Sequence, residues 1–283
     1  TREDKNEKNF LPALFDKYID STQSLSRGSG LKEIAPVRVL TKANAVTAIV
    51  ARLLEKLKAE DKTQENLEQI FLFAVIWGFG GCLCDDRTNE NRTKFDDAFQ
   101  SQWKEAMSQY PKDCSVFDCF YDPPTNEWIP WEDKREPFEY LPIGNGPGQT
   151  DFSYVYVQTT DTIMNDNVLG LLMQHKQPTV LVGLAGTGKT VLMQKYIAAQ
   201  DEETMLNTVI DVNFYTEHKN IQGEIEAVID KRSGRVFGPP PGKSMMYFLD
   251  DLNLPEIEEF GTQNALSMLR MAMDLKTFYD RDD

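Results

Sequence analysis

A glycine-rich turn that follows a short apolar run constrains this chain more than any other feature. Residues 183–190 read GLAGTGKT and match the pattern G-x-x-x-x-G-K-[ST]. In that pattern, glycines let backbone N–H groups approach phosphate oxygens, and the next helix adds the positive end of its dipole. The sequence therefore predicts a buried strand over Thr179–Val182, a phosphate-binding loop and a helix from Lys189 to Ala199.

Each part of this loop has a predicted role. Lys189 is expected to reach the β- and γ-phosphates and to act in catalysis, and the Thr190 hydroxyl is expected to bind Mg²⁺. The predicted nucleotide contacts of the loop are Gly183, Leu184, Ala185, Gly186, Thr187, Gly188, Lys189, Thr190 and Val191. A glycine-rich turn with a surface lysine and no ligand is the alternative.

A second apolar run ends in two acids. Met245–Leu249 is followed by Asp250 and Asp251. A nucleotide-bound magnesium ion needs such a carboxylate, so Asp250 is the predicted Mg²⁺ residue and Asp251 the residue that positions the attacking water. Because aspartate is a methylene shorter than the glutamate that many ATPases use, slow hydrolysis is expected. A solvated strand end is the alternative.

The base is expected to be adenine, because the sequence has no N-K-x-D motif for reading guanine. The segment VYVQTTDTI, residues 155–163, leads towards the predicted first strand and is expected to line the adenine pocket.

The order of elements after the loop predicts an α/β fold. A strand over 208–214, a helix over 220–231, a strand over 245–249 and a helix over 262–275 alternate. Such alternation is typical of a parallel sheet covered by helices. The preceding segment 141–149, LPIGNGPGQ, is rich in glycine and proline and predicts a linker at a domain boundary.

The first hundred residues predict a small helical bundle. Apolar residues at helical spacing favour helices over 41–60, from Thr63 to the glycines that begin at Gly78, and over 91–109. Phe95, Phe99 and Trp103 are expected to face inward. The segment 116–131 then predicts a hairpin or a pair of extended segments, because the turn-forming residues DPPTNE separate VFDCFY from WIPW.

Charge and composition exclude some classes of partner. A net charge of −15 and an isoelectric point near 4.7 disfavour nucleic acid and anionic lipid. The longest uncharged run, 70–84, is shorter than the roughly 20 residues of a membrane helix. The opening TREDKNEKNF has no secretory pattern and no initiator methionine, so an excerpt of a longer chain is expected.

The cysteines and histidines are not predicted to be catalytic. The cysteines are expected to be reduced and partly buried, with a metal site as the alternative, and the histidines to lie at the surface or at helix ends. These residues are Cys82, Cys84, Cys114, Cys119, His175 and His218.

Several longer stretches resemble dynein heavy chains. They are IFLFAVIWGFGG, VFDCFYDPPTNEWIPW, VQTTDT, VNFYT, FGPPPGKSMMYFLDDLNLPEIEEFGTQ and FYDR, together with the phosphate loop. The chain is most similar to an axonemal, outer-arm heavy chain, over the part that runs from the end of the second AAA+ module into the third.

The resemblance implies a domain plan. Residues 1–110 would be the helical small subdomain of the preceding AAA+ module, 111–152 an extended connection, and 153–283 a P-loop AAA+ large subdomain that stops before its sensor strand and lid. It also implies that ATP or ADP with Mg²⁺ is the cofactor, that the fragment alone is inactive, and that Val157, Thr160 and Thr162 lie near the adenine.

The resemblance also implies a role. The whole protein would be a ring motor that moves along microtubules in cilia or flagella, and this module would be regulatory. Its partners would be the other AAA+ modules, intermediate and light chains, other heavy chains, and the microtubule through a region outside this stretch. The alternatives are a structural module that holds nucleotide without turnover and a stand-alone P-loop kinase.

Overall fold

The computed structural model describes residues 5–28, 30–84, 90–137, 142, 144 and 156–279. Contacts divide the chain into two units, Thr1–Leu184 and Ala185–Asp283. The division lies inside the predicted phosphate loop. The predicted domain limits at 110 and 152 stay predictions, and most of the predicted linker 141–149 lies outside the described residues.

The first unit is mainly helical. Its helices are α1 (Lys5–Gly28), α2 (Val39–Leu54), α3 (Gln64–Val75), α4 (Asn91–Gln102) and α5 (Thr160–Gln174). Two short 3-10 turns cover Ala59–Asp61 and Trp131–Lys134. The side chain of Thr63 caps α3 by accepting a hydrogen bond from the N–H of Asn66, as the predicted start of this helix requires.

Two of the predicted helix ends are wrong. The helix predicted over 41–60 ends at Leu54, where α2 stops. The glycines do end the helix that begins at Gln64, although its last turn, Ile76–Gly80, is π-helical. Helix α4 ends at Gln102 rather than near residue 109, because the backbone of Trp103 leaves the helical region with φ −111° and ψ 29°. The inward positions of Phe95 and Phe99 are confirmed, since both side chains are fully buried and their rings stack.

The predicted hairpin is confirmed. Strands β1 (Cys119–Asp122) and β2 (Glu127–Pro130) pair antiparallel. The indole N–H of Trp128 donates a hydrogen bond to Gln69 of α3 over 2.8 Å, so the hairpin belongs to the helical core. All four cysteines are free thiols, and burial raises the pKa of Cys119 to about 11.

The second unit has an α/β order. Its elements are α6 (Lys189–Ala198), β3 (Met205–Asp211), α7 (His218–Ala227), β4 (Asp230–Ser233), β5 (Val236–Gly238), β6 (Ser244–Asp250) and α8 (Asn264–Leu275). Strands β3 and β6 pair in parallel, as predicted, whereas β4 and β5 form an antiparallel hairpin. A small core joins the sheet to α7 and α8 through Ile210, Val212, Ile221, Ile225, Ala265 and Met268.

Three predictions around this sheet are wrong. No strand is assigned over Thr179–Val182; Val180 and Val182 are 68% and 57% exposed, so the run buries too little apolar surface to form a core strand. Strand β3 lies three residues earlier than expected. Helix α7 ends at Ala227 because the chain enters β4 at Asp230. In the described residues, no helix is both long and apolar enough to cross a membrane.

Candidate functional site

The phosphate loop leads directly into helix α6. Gly186 and Gly188 have φ values of 76° and 81°, in the left-handed region that favours glycine. Apart from the adjoining residues, no heavy atom lies within 4 Å of the position that a Cβ would take at either glycine, so the space on that side of the backbone is open. Gly188 is the N-cap of α6, and Lys189 and Thr190 form its first turn. The loop thus exposes the positive end of a helix dipole.

Packing fixes the direction of α6. Its inward face buries Leu192, Met193 and Tyr196, each less than 9% exposed. The predicted contact Val191 is 45% exposed and lies on the other face. Lys189 and Thr190 are partly exposed at the open end of the helix. Their side chains therefore remain accessible at the helix terminus that faces the loop.

Strand β6 brings Asp250 to the first turn of α6. The Thr190 hydroxyl donates a hydrogen bond to Oδ2 of Asp250 over 2.8 Å, although the two residues are far apart in the sequence. The other carboxylate oxygen, Oδ1, accepts the backbone N–H of Asp251 at 3.0 Å. Both oxygens of Asp250 are thus held, and the two predicted Mg²⁺ residues are in direct contact.

Asp251 has an unusual backbone. It is exposed and has a φ of 54°, a left-handed conformation that aspartate tolerates better than most residues. Its carbonyl accepts the N–H of Leu254 at 2.9 Å, which closes a turn immediately after β6. The chain therefore turns at Asp251, directly after the strand that Asp250 ends.

Sequence reasoning missed a second carboxylate at this edge. Asp211 is the last residue of β3 and is in register with Asp250 of β6. Register partners in a sheet project to the same face, so two carboxylates lie side by side at the carboxyl ends of the strands. The sequence does contain a sign of this carboxylate, because Asp211 follows apolar residues as Asp250 does. The strand predicted over 208–214 placed Asp211 in the middle of the strand and not at its end.

Five of the predicted contacts lie in the first unit. Gly183 and Leu184 precede the division of the chain, and Leu184 is 77% exposed. Val157 is 52% exposed, Thr160 begins α5, and Thr162 forms a capping box with Thr159. The segment is thus the start of a helix, and the Thr162 hydroxyl is engaged with the Thr159 backbone N–H at 2.8 Å.

The donor groups fit magnesium. Mg²⁺ in nucleotide sites takes oxygen ligands, usually one or two carboxylates together with substrate phosphates and water. Thr190 and Asp250 supply a hydroxyl and a carboxylate in contact, next to a loop and helix end suited to phosphate. Within the described residues, no group of three or more His, Cys, Asp or Glu side chains is arranged to hold a metal by itself.

Two protein families match the chain, each over one part. Residues 145–283 match the family described as the P-loop containing dynein motor region, and residues 11–133 match the dynein heavy chain AAA lid domain. The predicted pairing of a helical small subdomain with a P-loop large subdomain is confirmed by these matches.

Individual relatives agree with the family matches. Dynein axonemal heavy chain 17 of Homo sapiens is 35% identical over 99% of this chain, and dynein axonemal heavy chain 9 of Homo sapiens is 32% identical over 99%. The dynein beta chain of the flagellar outer arm of Chlamydomonas reinhardtii is 32% identical over 96%. The chain spans 6% of the length of each of these relatives.

Proposed function

This chain belongs to the dynein heavy chain family, and from that premise we propose that it contains an ATP-binding AAA+ module whose nucleotide state regulates a microtubule motor. The observation that carries the proposal is the contact between Thr190 and Asp250 at the start of α6. It joins the two groups that a magnesium nucleotide requires, beside a glycine loop that leads into the N-terminus of α6.

The proposed roles follow from the chemistry of each side chain. The Lys189 ammonium binds the β- and γ-phosphates, and Thr190 and Asp250 hold Mg²⁺ and its water shell. Magnesium supplies positive charge that offsets the charge on the phosphates. Asp251 positions a water molecule, and the backbone of the loop, Gly183 to Val191, surrounds the phosphates. Val157, Thr160 and Thr162 contact the adenine.

The proposed setting is the axoneme of a cilium or flagellum. The relatives reported above carry axonemal and outer-arm names. We place the other AAA+ modules, intermediate and light chains, and other heavy chains among the partners, and the microtubule contact outside this stretch. A net charge of −15 supports the last point, since the microtubule surface is itself acidic.

The experiment that tests the proposal compares nucleotide binding in the full-length heavy chain. Lys189→Ala, made with the phosphate loops of other modules already disabled, removes the ammonium group that is proposed to contact the phosphates. We expect loss of MgATP binding, measured by titration with a fluorescent ATP analogue. Unchanged affinity would contradict the proposal.

A second candidate is a module that holds nucleotide as a structural brace. The short Asp251 side chain on a left-handed backbone favours it, because water positioning demands a well-placed carboxylate. Nucleotide extracted from the full-length chain after incubation with ATP distinguishes the two. If ADP is recovered from the parent chain but not from Asp251→Asn, the module turns ATP over. If ATP is recovered unchanged from the parent chain, the module is a brace.

A further inference from the structure

The hairpin of β4 and β5 carries positive charge in an acidic chain. Residues 230–238 contain one acid, Asp230, and three cations, Lys231, Arg232 and Arg235. The whole chain, in contrast, has a net charge of −15. Every residue of β4 is exposed. The hairpin therefore forms a local cationic surface.

The same hairpin exposes apolar side chains. Val236 and Phe237 of β5 are 62% and 54% exposed. An isolated two-stranded hairpin is at best marginally stable in water, because it has too little apolar surface to bury. A surface that covered Val236 and Phe237 would add the burial that this hairpin lacks.

One of the three cations of the hairpin is engaged within the hairpin itself. Gly234 opens the two-residue turn with a φ of 58°, as hairpin turns require. A register shift between Lys231 and Ser233 leaves Arg232 as a bulged residue, and its guanidinium donates a hydrogen bond to the carbonyl of Pro239. Arg232 is thus tied to the exit of its own hairpin.

Lys231 and Arg235 remain available for a partner. Neither side chain has a hydrogen-bond or ion-pair partner in the part of the chain that the structure describes, although the backbone of Lys231 pairs with Phe237. Two available cations beside exposed apolar residues fit an acidic protein surface with apolar contacts. Nucleic acid and anionic lipid fit less well, since the rest of the chain would repel both.

The small size of the hairpin points to a partner on the same polypeptide. A stable interface between separate proteins buries about 1,200 Å² or more, which so short a hairpin cannot supply alone. An intramolecular partner needs less contact area, because linkage gives it a high effective concentration. Relatives are many times longer than this chain, which spans 6% of their length. We propose that the β4–β5 hairpin docks onto an acidic surface elsewhere in its own heavy chain.

Site-specific cross-linking in the full-length heavy chain tests this docking. A benzophenone amino acid replaces Phe237, which keeps an aromatic group at an exposed position, and mass spectrometry identifies the cross-linked peptide. We expect a peptide of the same heavy chain, outside this stretch and rich in Asp and Glu. Cross-links only to another protein, to nucleic acid or to nothing would overturn the proposal.

Charge reversal makes the test specific. Lys231→Glu with Arg235→Glu is expected to lower the cross-link yield by about tenfold, since like charges then face each other. Lys219→Glu, at an exposed cation on α7 of the same unit, is the matched control and should leave the yield unchanged. Replacing the acidic residues of the captured peptide by Lys should restore the yield in the double variant. If the cross-link yield changes neither in the double variant nor after the acidic residues of the peptide are replaced, charge has no role in the docking. Bound nucleotide shows that each variant is folded.

Discussion

The hydroxyl of Thr190 donates a hydrogen bond to Oδ2 of Asp250 over 2.8 Å, and this bond joins the first turn of α6 to the end of β6. The parallel pairing of β3 with β6 fixes the strand end, and the buried face of α6 fixes the helix. The contact is therefore a product of the fold, and it places the hydroxyl and the carboxylate that are predicted to hold Mg²⁺ next to each other.

Thr190→Ala should weaken binding of MgATP by about tenfold or more, because it removes a predicted metal ligand. Thr190→Ser keeps the hydroxyl and should retain most of the affinity. Titration of both variants at several Mg²⁺ concentrations checks this. If Thr190→Ala and Thr190→Ser bind MgATP with the same affinity, the hydroxyl of residue 190 is not a ligand of the metal.

Gly188→Ala should destabilise the loop and weaken nucleotide binding. A residue with a Cβ at φ 81° costs about 1–2 kcal/mol, although the structure has space for the methyl group itself. Gly28→Ala is the control, since Gly28 lies at the end of α1 without a positive φ and with nothing close to the added methyl. Chemical denaturation and nucleotide titration of the two variants should differ; equal losses would argue against backbone conformation as the cause.

The sequence predicted the parts of the site that local chemistry determines. A glycine loop before a helix and an acid after an apolar strand each have a direct physical reason: Lys189 and Thr190 begin α6, and Asp250 ends β6. Their roles in binding stay predictions. The strand predicted over Thr179–Val182 was wrong, because a short apolar run does not by itself show whether a neighbouring strand will cover it.

Two further elements, α5 and the π-helical turn, were missed for different reasons. Helix α5 was not expected because Thr159 and Thr162 form a capping box without the Glu or Gln that usually marks one. The π-helical turn at Ile76–Gly80 was not expected either, because glycine normally ends helices. There Gly78 and Gly80 permit close packing: a Cβ at Gly78 would lie 2.5 Å from a Val46 methyl.

Gly80→Ala should destabilise the helical unit by about 1–3 kcal/mol through overpacking. A Cβ at this position would lie 2.6 Å from two ring carbons of Phe117. Phe117→Leu, which removes the ring, should lessen the penalty when combined with Gly80→Ala. Denaturant unfolding of the single and double variants measures this coupling. If the losses in the free energy of unfolding are additive in the double variant, the added methyl group does not clash with the Phe117 ring.

The stability of the helical unit should fall in acid because of Glu68. Burial acts to raise the pKa of this carboxyl, but hydrogen bonds from Lys17 and Tyr18, each 2.7 Å to Oε1, outweigh burial and hold the pKa below its usual value. A carboxyl with a lowered folded-state pKa stabilises the fold above its unfolded pKa of about 4.3, and this stabilisation is lost as pH falls through the folded value.

Glu68→Gln should remove that part of the pH dependence. The variant should be less stable than the parent near neutral pH and should approach it in stability below about pH 4. Thermal unfolding across this range checks the prediction. Glu60→Gln, at an exposed acid of the same unit, serves as the control, and parallel curves for Glu68→Gln and the parent would exclude the role of Glu68.

The central claim is that Lys189, Thr190 and Asp250 form a magnesium nucleotide site. Its most direct test is a titration of MgATP into the full-length heavy chain in which this is the one phosphate loop left intact. The account predicts saturable binding that requires Mg²⁺ and is lost in Asp250→Asn. Binding that persists unchanged in Asp250→Asn, or no binding at all, would contradict it.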